Sequence, residues 1–324
     1  MILVTGGAGF IGSAVVWELN RRGITDILIS DHLGVSGKWK NLRALKYADY
    51  IEKDELLAHL VSGTVPYKLT AVIHMGACSS TTESDCSYLV ENNFSYSKLL
   101  AEYCIIKKMR FIYASSAATY GDGEKGFKDD LKKIEALRPL NMYGYSKQMF
   151  DLYAKRMKWF DKITGIKFFN VYGPNEYHKG EMSSKIFKAY HEIINTGKIR
   201  LFKSDDPKWK NGESVRDFVY VKDCSKIICD ILEDKNIAGL FNLGSGHARS
   251  WNDLAAAVFK SLDKKSRTEF FDMPENLKGK YQYFTESDNS KLKSTPLKIK
   301  FTSLEKGIED YIKNYLIPGR YLGD

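Results

Sequence analysis

Short apolar runs alternate along the first half of the chain with longer stretches whose apolar positions recur every three or four residues. These are the periods of strand and helix. Ile2-Leu3-Val4 reads as a buried strand, residues 10–22 as an amphipathic helix, and Asp26-Ile27-Leu28-Ile29-Ser30-Asp31 as a second strand. Ala71-Val72-Ile73-His74 predicts a further strand, residues 85–107 a long helix, and Arg110-Phe111-Ile112-Tyr113-Ala114-Ser115 the next strand. A helix over 145–161 and a strand at Ile166-Lys167-Phe168-Phe169-Asn170 continue the alternation, which predicts an α/β chain with a doubly wound parallel sheet. After Asn170 the rhythm loosens: residues 171–174 read as a turn, 184–195 as a helix and 203–214 as a polar loop. The strand-like run at 217–221 and the helix after it read as a return to the main sheet. The expected division is therefore a Rossmann-type domain over 1–170 with 215–245, and a smaller, non-contiguous α/β substrate lobe over 171–214 and 246–324. No internal repeat is evident.

Chemistry enters where the first strand turns into the first helix. Thr5-Gly6-Gly7-Ala8-Gly9-Phe10-Ile11-Gly12 sets Gly6, Gly9 and Gly12 three residues apart, a spacing that lets backbone N–H groups at a helix N-terminus approach a pyrophosphate. Asp31 follows Gly12 by nineteen residues, the place of an acid that meets an adenosine ribose. Downstream, Tyr143-Gly144-Tyr145-Ser146-Lys147 puts a phenol and an ammonium one helical turn apart. That ammonium, with an oxidised nicotinamide nearby, is expected to lower the phenol from about 10 toward working pH, so that it takes an alcohol proton as hydride leaves. Ser115-Ser116 ends the strand beside it. Together these features predict a redox enzyme.

Composition narrows the class. The chain has 324 residues, 44% of them hydrophobic, enough for a full α/β core and a second lobe. No apolar run approaches the roughly eighteen residues a membrane helix needs, and the start at Met1 leaves no room for a signal peptide. A cytoplasmic protein without membrane insertion is the expectation. Cys78, Cys86, Cys104, Cys224 and Cys229 show no Cys-x-x-Cys spacing and read as buried free thiols; six scattered histidines predict no metal site. The formal charge of +9 comes with lysine clusters at 125–133, 203–210, 278–280 and 291–300. A basic surface suits a nucleotide cofactor and a nucleotide-linked substrate, both anions. No arginine-rich arm, zinc-finger spacing or RNA-binding aromatic motif accompanies it, so no nucleic-acid partner is expected.

The glycine loop, Tyr143-x-x-x-Lys147, Phe169-Asn170-Val171-Tyr172-Gly173-Pro174 and Arg216-Asp217-Phe218-Val219-Tyr220-Val221 resemble the extended short-chain dehydrogenase/reductases. Four further stretches are similar to the ADP-glyceromanno-heptose 6-epimerase family, which makes the heptose precursor of the lipopolysaccharide inner core. They are residues 76–83, 113–121, His178-Lys179-Gly180 and Leu277-Lys278-Gly279-Lys280-Tyr281-Gln282. The resemblance covers nearly the whole chain. It implies epimerisation at carbon 6 of an ADP-linked heptose through a transient ketone, with a tightly retained cofactor and a homo-oligomeric enzyme.

Residue roles implied by the resemblance are specific. Ser116 bonds the reacting oxygen, Tyr143 and Lys179 are the two acid/bases, and Lys147 positions the cofactor ribose. The cofactor set comprises Gly6, Gly9, Phe10, Ile11, Gly12, Asp31, His32, Lys38, Lys53, Met75, Gly76, Ala77, Cys78, Ser79, Asn92 and Val171, together with Tyr143, Lys147 and Lys179. Asp31 alone favours NAD, because a carboxylate repels a 2′-phosphate. Lys38 and Lys53 match the family's NADP-binding lysines and favour NADP, with NAD the alternative. Ser79, Ser116, Asn170, Glu181, Lys188, Phe202, Lys203, Ser204, Asp205, Arg216 and Tyr281 are the expected substrate contacts.

Several positions depart from the family pattern. Met75 stands in place of an acid, Glu181 in place of a small residue and Lys188 in place of a histidine, and the 205–214 stretch is longer. Ala117 and Ala118 occupy positions where sugar-nucleotide dehydratases carry an Asp-Glu pair; neither moves a proton, so dehydration is disfavoured. Another nucleotide-sugar epimerase or reductase, such as a 4-epimerase, would share the redox residues. A non-catalytic dinucleotide-binding or nucleic-acid-associated protein would lack Ser116, Tyr143 or Lys147, and all three are present.

Overall fold

The computed structural model describes residues 1–275 and 282–324. Along the chain, strands β1 (Ile2–Thr5), β2 (Ile27–Asp31), β3 (Asp49–Glu52), β4 (Ala71–His74), β5 (Arg110–Ser116) and β6 (Thr164–Phe168) come first. Then follow β7 (Asn170–Tyr172), β8 (Ile199–Phe202), β9 (Val215–Tyr220), β10 (Gly239–Leu243), β11 (Ala248–Ser250) and β12 (Thr268–Phe271). A seven-stranded parallel sheet orders them β10-β6-β5-β4-β1-β2-β3. Neighbouring residues on each central strand serve opposite layers. Leu3, Leu28, Val72 and Phe111 pack into one face, while Val4, Ile29, Ile73 and Ile112 pack into the other. Burial on both faces is why these strands read as unbroken apolar runs rather than alternating ones. The strand order reverses between β1 and β4, and a crevice opens there at the carboxyl ends of the strands.

Two smaller sheets stand beyond that edge. β7 pairs in parallel with β9 and β11 joins antiparallel, while β8 and β12 form a parallel pair. Helices Lys185–Thr196, Trp251–Ser261 and Leu304–Tyr311 close over them on a separate core that includes Ile186, Phe218, Leu254 and Ile308.

Five local expectations are corrected. β9 does not join the main sheet; the return is made by helix Val221–Glu233, which packs on helix Phe10–Arg21, and then by β10. Residues 170–172 are a strand before the turn at Gly173. The helix expected from Tyr145 begins at Met142, because the Asn141 side chain accepts the Gly144 N–H at 2.8 Å and caps it. It ends at Arg156, just before Lys158, whose φ of 56° is left-handed. The helix expected over 85–107 contains a π-helical stretch, Val90–Ser95. Cys104, Cys224 and Cys229 are buried thiols as expected, whereas Cys86 is exposed and Cys78 is half-buried. Among the described residues no helix is long and apolar enough to cross a membrane.

Candidate active site

The crevice at the strand-order reversal is a cleft of about 710 Å³. It brings together Gly6, Gly9, Phe10, Ile11 and Gly12 from the first turn, and Asp31 and Lys38 beyond β2. Met75, Gly76, Ala77, Cys78 and Ser79 line it after β4, and Ser116, Tyr143, Lys147, Asn170, Val171 and Lys179 complete it. The glycines are required by close approach. A Cβ on Gly6, whose φ is +63°, would lie 2.6 Å from the Gly76 backbone, and one on Gly12 would run into the Gly6 carbonyl. This cradle, at the N-terminus of helix Phe10–Arg21, fits the pyrophosphate of a dinucleotide.

At the far end of the cradle Asp31 is spoken for by the chain itself. Its Oδ2 accepts the Ala8 N–H at 2.9 Å, and its Oδ1 accepts the His32 N–H at 2.7 Å and the Lys38 ammonium at 2.6 Å. His32, Lys53 and Asn92 line an adjoining recess with Asp31 and Lys38, and Lys53 donates to Asn92 Oδ1 at 2.9 Å. The π-helical stretch turns two successive asparagines inward. Asn92 meets Lys53, while Asn93 clamps the Cys78 backbone through both its N–H (2.8 Å) and its carbonyl (2.9 Å) and donates to Ser146 Oγ at 2.9 Å.

Ser116 ends β5, and its hydroxyl accepts the Ala118 N–H at 3.1 Å; Tyr143 is hydrogen-bonded to Ser116. Lys147, one turn along the helix from Tyr143, donates to the Ala114 carbonyl at 2.9 Å. Burial pushes the Lys147 ammonium down to about 8, against the opposing pull of Asp151. The expected fall in the Tyr143 phenol does not occur in the chain alone. Burial raises it above the ordinary tyrosine value, and the Ser116 bond only partly offsets this. Burial outweighs the Ser116 bond, so a lowered phenol here calls for added positive charge in the cleft.

Lys179 reaches the cleft from the 3₁₀ segment Tyr177–Met182, with its Nζ 5.5 Å from the centre of the Phe10 ring. Burial lowers its ammonium from the ordinary lysine value, and the buried Glu176 carboxylate opposes that shift. Glu176 in turn accepts the Gly173 N–H at 3.2 Å and the Ser184 hydroxyl at 2.8 Å, fixing the start and end of the loop. Among the described residues lining the cleft, Asp31 is the only carboxylate.

A second cavity, about 330 Å³, shares Lys185 and Trp251 with the cleft and continues it into the smaller lobe. Phe202, Lys203, Ser204 and Lys188 line it, with Arg200, Lys210 and Phe271. Asp205 hydrogen-bonds Tyr283. Arg216 stacks 5.5 Å from the Trp251 ring and donates to the Val215 carbonyl at 2.9 Å, and Asn170 donates to the Asp217 carbonyl at 3.2 Å. Two departures from the family pattern meet each other. Lys188 Nζ lies 2.9 Å from Glu181 Oε2 and 2.7 Å from the Glu181 carbonyl. Tyr281 falls outside the described residues.

The sequence pattern did not single out Asn41, Asn93, Glu176, Lys185 or Trp251, and it offered His178 only as a neighbour of Lys179. Asn41 and Asn93 are placed by contacts with His178 and Ser146, far along the chain, and Glu176 by the loop it closes between Gly173 and Ser184. Among the described residues no cluster of His, Cys, Asp or Glu is arranged to hold a metal ion.

Residues 2–244 match the NAD dependent epimerase/dehydratase family. The chain is 52% identical over 316 residues to an ADP-L-glycero-D-manno-heptose-6-epimerase of Nitratidesulfovibrio vulgaris, covering 98% of both chains. It is 49% identical over 325 aligned positions to one of Fusobacterium nucleatum, again covering 98% of each. Its fold is similar to the crystal structure of the Helicobacter pylori ADP-L-glycero-D-manno-heptose-6-epimerase, with a TM-score of 0.78 and 27% identity over 97% of this chain and 95% of that one.

Proposed function

This chain belongs to the NAD dependent epimerase/dehydratase family and, within it, to the ADP-L-glycero-D-manno-heptose-6-epimerases, and we propose that it inverts carbon 6 of ADP-D-glycero-D-manno-heptose to the L-glycero epimer. The observation that carries this reading is that Tyr143 and Lys179, from separate segments, share one cleft with the glycine cradle, and that among the described residues lining it the only carboxylate is Asp31, at the far end and held by Ala8, His32 and Lys38. Two proton-moving groups in a cleft whose lining offers no further acid at their end suit oxidation and return reduction rather than loss of water.

The bound nicotinamide supplies reversible hydride acceptance at one position. The chain's residues manage the protons. Ser116 holds the carbon-6 oxygen, and one of Tyr143 and Lys179 takes its proton as the C–H bond is broken. The ketone then turns its other face, and the second group gives a proton to the oxygen as the C–H bond re-forms. One proton is accepted and one delivered per inversion, which leaves the two groups with exchanged protonation states, and proton exchange with solvent resets them for the next turnover. Lys147 holds the ribose side, and its charge reinforces that of the oxidised ring in lowering Tyr143.

NADP is the preferred form of the cofactor. Asp31, whose oxygens are committed to Ala8, His32 and Lys38, is a paired carboxylate rather than a free repulsive one, and Lys38 and Lys53 stand by for a 2′-phosphate. The smaller lobe, which carries β7, β8, β9, β11 and β12, is the substrate lobe, and its cavity lined by Phe202, Lys203 and Lys188 takes the ADP moiety. Glu181 beside a diphosphate is tolerable because Lys188 pairs with it.

The test is proton NMR of ADP-D-glycero-D-manno-heptose with purified protein and no added cofactor. Accumulation of the L-glycero epimer to an equilibrium mixture is expected, and is lost in Tyr143→Phe and in Lys179→Met. No conversion with NADP or NAD supplied, together with turnover of a UDP-hexose, would replace this reading with that of a 4-epimerase.

A further inference from the structure

Behind the cleft, segments from four parts of the chain meet at two buried asparagines. Asn41 closes the 3₁₀ turn Gly37–Asn41 that carries Lys38, and it is 1% exposed. Its Nδ2 donates to the Ala8 carbonyl at 2.9 Å and the Asn175 carbonyl at 3.0 Å, and lies 3.3 Å from His178 Nδ1. Two protons serve three acceptors, so the carbonyls take the shorter bonds. Asn175 is fully buried and holds a left-handed φ of 77°, which asparagine tolerates better than most side chains. Its Nδ2 donates to Ser13 Oγ at 3.0 Å, and its Oδ1 accepts the Leu322 N–H at 2.9 Å. Leu322 is itself fully buried, packed with Phe10, Ala14 and Val221. Phe10 is the ring beneath Lys179. Two further contacts hold the C-terminal tail: Arg43 to Asp324 at 2.7 Å, and the Tyr177 hydroxyl to the Arg320 carbonyl at 2.8 Å.

We infer that Asn41, Asn175 and Leu322 form a positioning knot. It holds the glycine loop, the Lys38 turn and the Lys179 segment in one register, so that anchoring of the cofactor's adenosine end and placement of the second acid/base are set together. This rests on the role given to Lys179 above. Each connection ends on a segment of the site: Ala8 and Ser13 on the cradle, Asn41 on the Lys38 turn, Asn175 four residues before Lys179. Between Asn175 and Lys179 the chain is tightly wound, with the Lys179 N–H on the Glu176 carbonyl at 3.0 Å, so a shift at one end reaches the other. A misplacement of about 1 Å costs on the order of 100-fold in rate.

Asn175→Gly removes both side-chain bonds yet accepts the left-handed backbone; Leu322→Ala withdraws the packing on Phe10 and leaves Asn175 in place. For each full-length variant the measurements are cofactor retained per chain through gel filtration, kcat and KM for ADP-D-glycero-D-manno-heptose, and the pH profile of kcat. We expect retention to fall severalfold and kcat to fall about 10–100-fold with KM little changed. The limb of the profile governed by Lys179 should move upward, because a loosened ammonium regains water and its ordinary value near 10.5. Full retention and an unmoved pH profile in both variants, with only a lower Tm, would overturn the proposal and leave a purely structural knot. If Asn175→Gly does not fold, Leu322→Ala decides by the same readouts. Full activity in Lys179→Met would instead sink the acid/base role, and retention would still judge the knot.

Discussion

Asp151 and Lys167 form an ion pair in which neither side chain has any solvent exposure, with Nζ 2.7 Å from Oδ2. The pair ties the reactive helix to the sheet. Asp151 stands one turn beyond Lys147 and also accepts the Tyr113 hydroxyl at 2.7 Å and the Ser115 hydroxyl at 2.8 Å, next to Ser116. Lys167, on β6, donates to Thr119 Oγ1 at 2.6 Å and lies 5.2 Å from the centre of the Tyr120 ring. Asp151→Asn leaves an ammonium in the interior without its counter-charge, which costs about 3–5 kcal/mol. Lys167→Met leaves a carboxylate that keeps two hydroxyl donors, so its cost belongs near 3 kcal/mol, the lower end of that range. The double variant removes both charges of this pair, and its cost should fall short of the sum by about 3 kcal/mol or less, within the range seen for contacting residues. Urea unfolding of the two single variants and the double variant, followed by tryptophan fluorescence, measures this coupling. Costs that add to within about 0.5 kcal/mol, the behaviour of distant sites, would refute the reasoning. So would a cost below about 1 kcal/mol for Asp151→Asn, which is what an exposed pair is worth.

Gly12→Ala should abolish cofactor retention, since its Cβ would collide with the Gly6 carbonyl; absorbance of the purified protein reports it. Lys147 carries a pH dependence: its pKa drops from 10.5 unfolded to about 8 folded, so between those values the unfolded chain binds more protons and stability rises with pH. In the cofactor-free protein Lys147→Met should remove up to about 3 kcal/mol of that rise, measured by urea unfolding at several pH values across the window. Reversing both charges, Glu181→Lys with Lys188→Glu, should restore much of the substrate KM lost in Lys188→Glu alone; no recovery would mean that Lys188 acts on the substrate and not through Glu181.

The sheet and the cradle were legible in sequence because both are local or periodic. Strands buried on both faces must be apolar throughout, and a backbone that meets a pyrophosphate at a helix N-terminus must be glycine at defined spacing. Tyr143 and Lys147 sit within one helical turn, so their partnership is also written in the chain. Spacing alone therefore specified the glycine cradle and the Tyr143–Lys147 pair, which the fold brings into one cleft. The sequence pattern misjudged β9, because an apolar run does not reveal which sheet will receive it, and it started the reactive helix late, because a cap depends on where the Asn141 side chain turns.

Only the tertiary structure decided which partners the charged groups took, even where the partner stands seven residues away. Asp31 proved to be paired with Lys38, so its charge is offset rather than free. Glu181 and Lys188, two separate departures in sequence, proved to be one ion pair. Tyr143 proved to be raised by burial, a quantity that has no local signature. The physical reason is common to all three: spacing along a chain specifies what one turn or strand presents. Desolvation and charge pairing depend on what folding brings within a few ångströms from elsewhere.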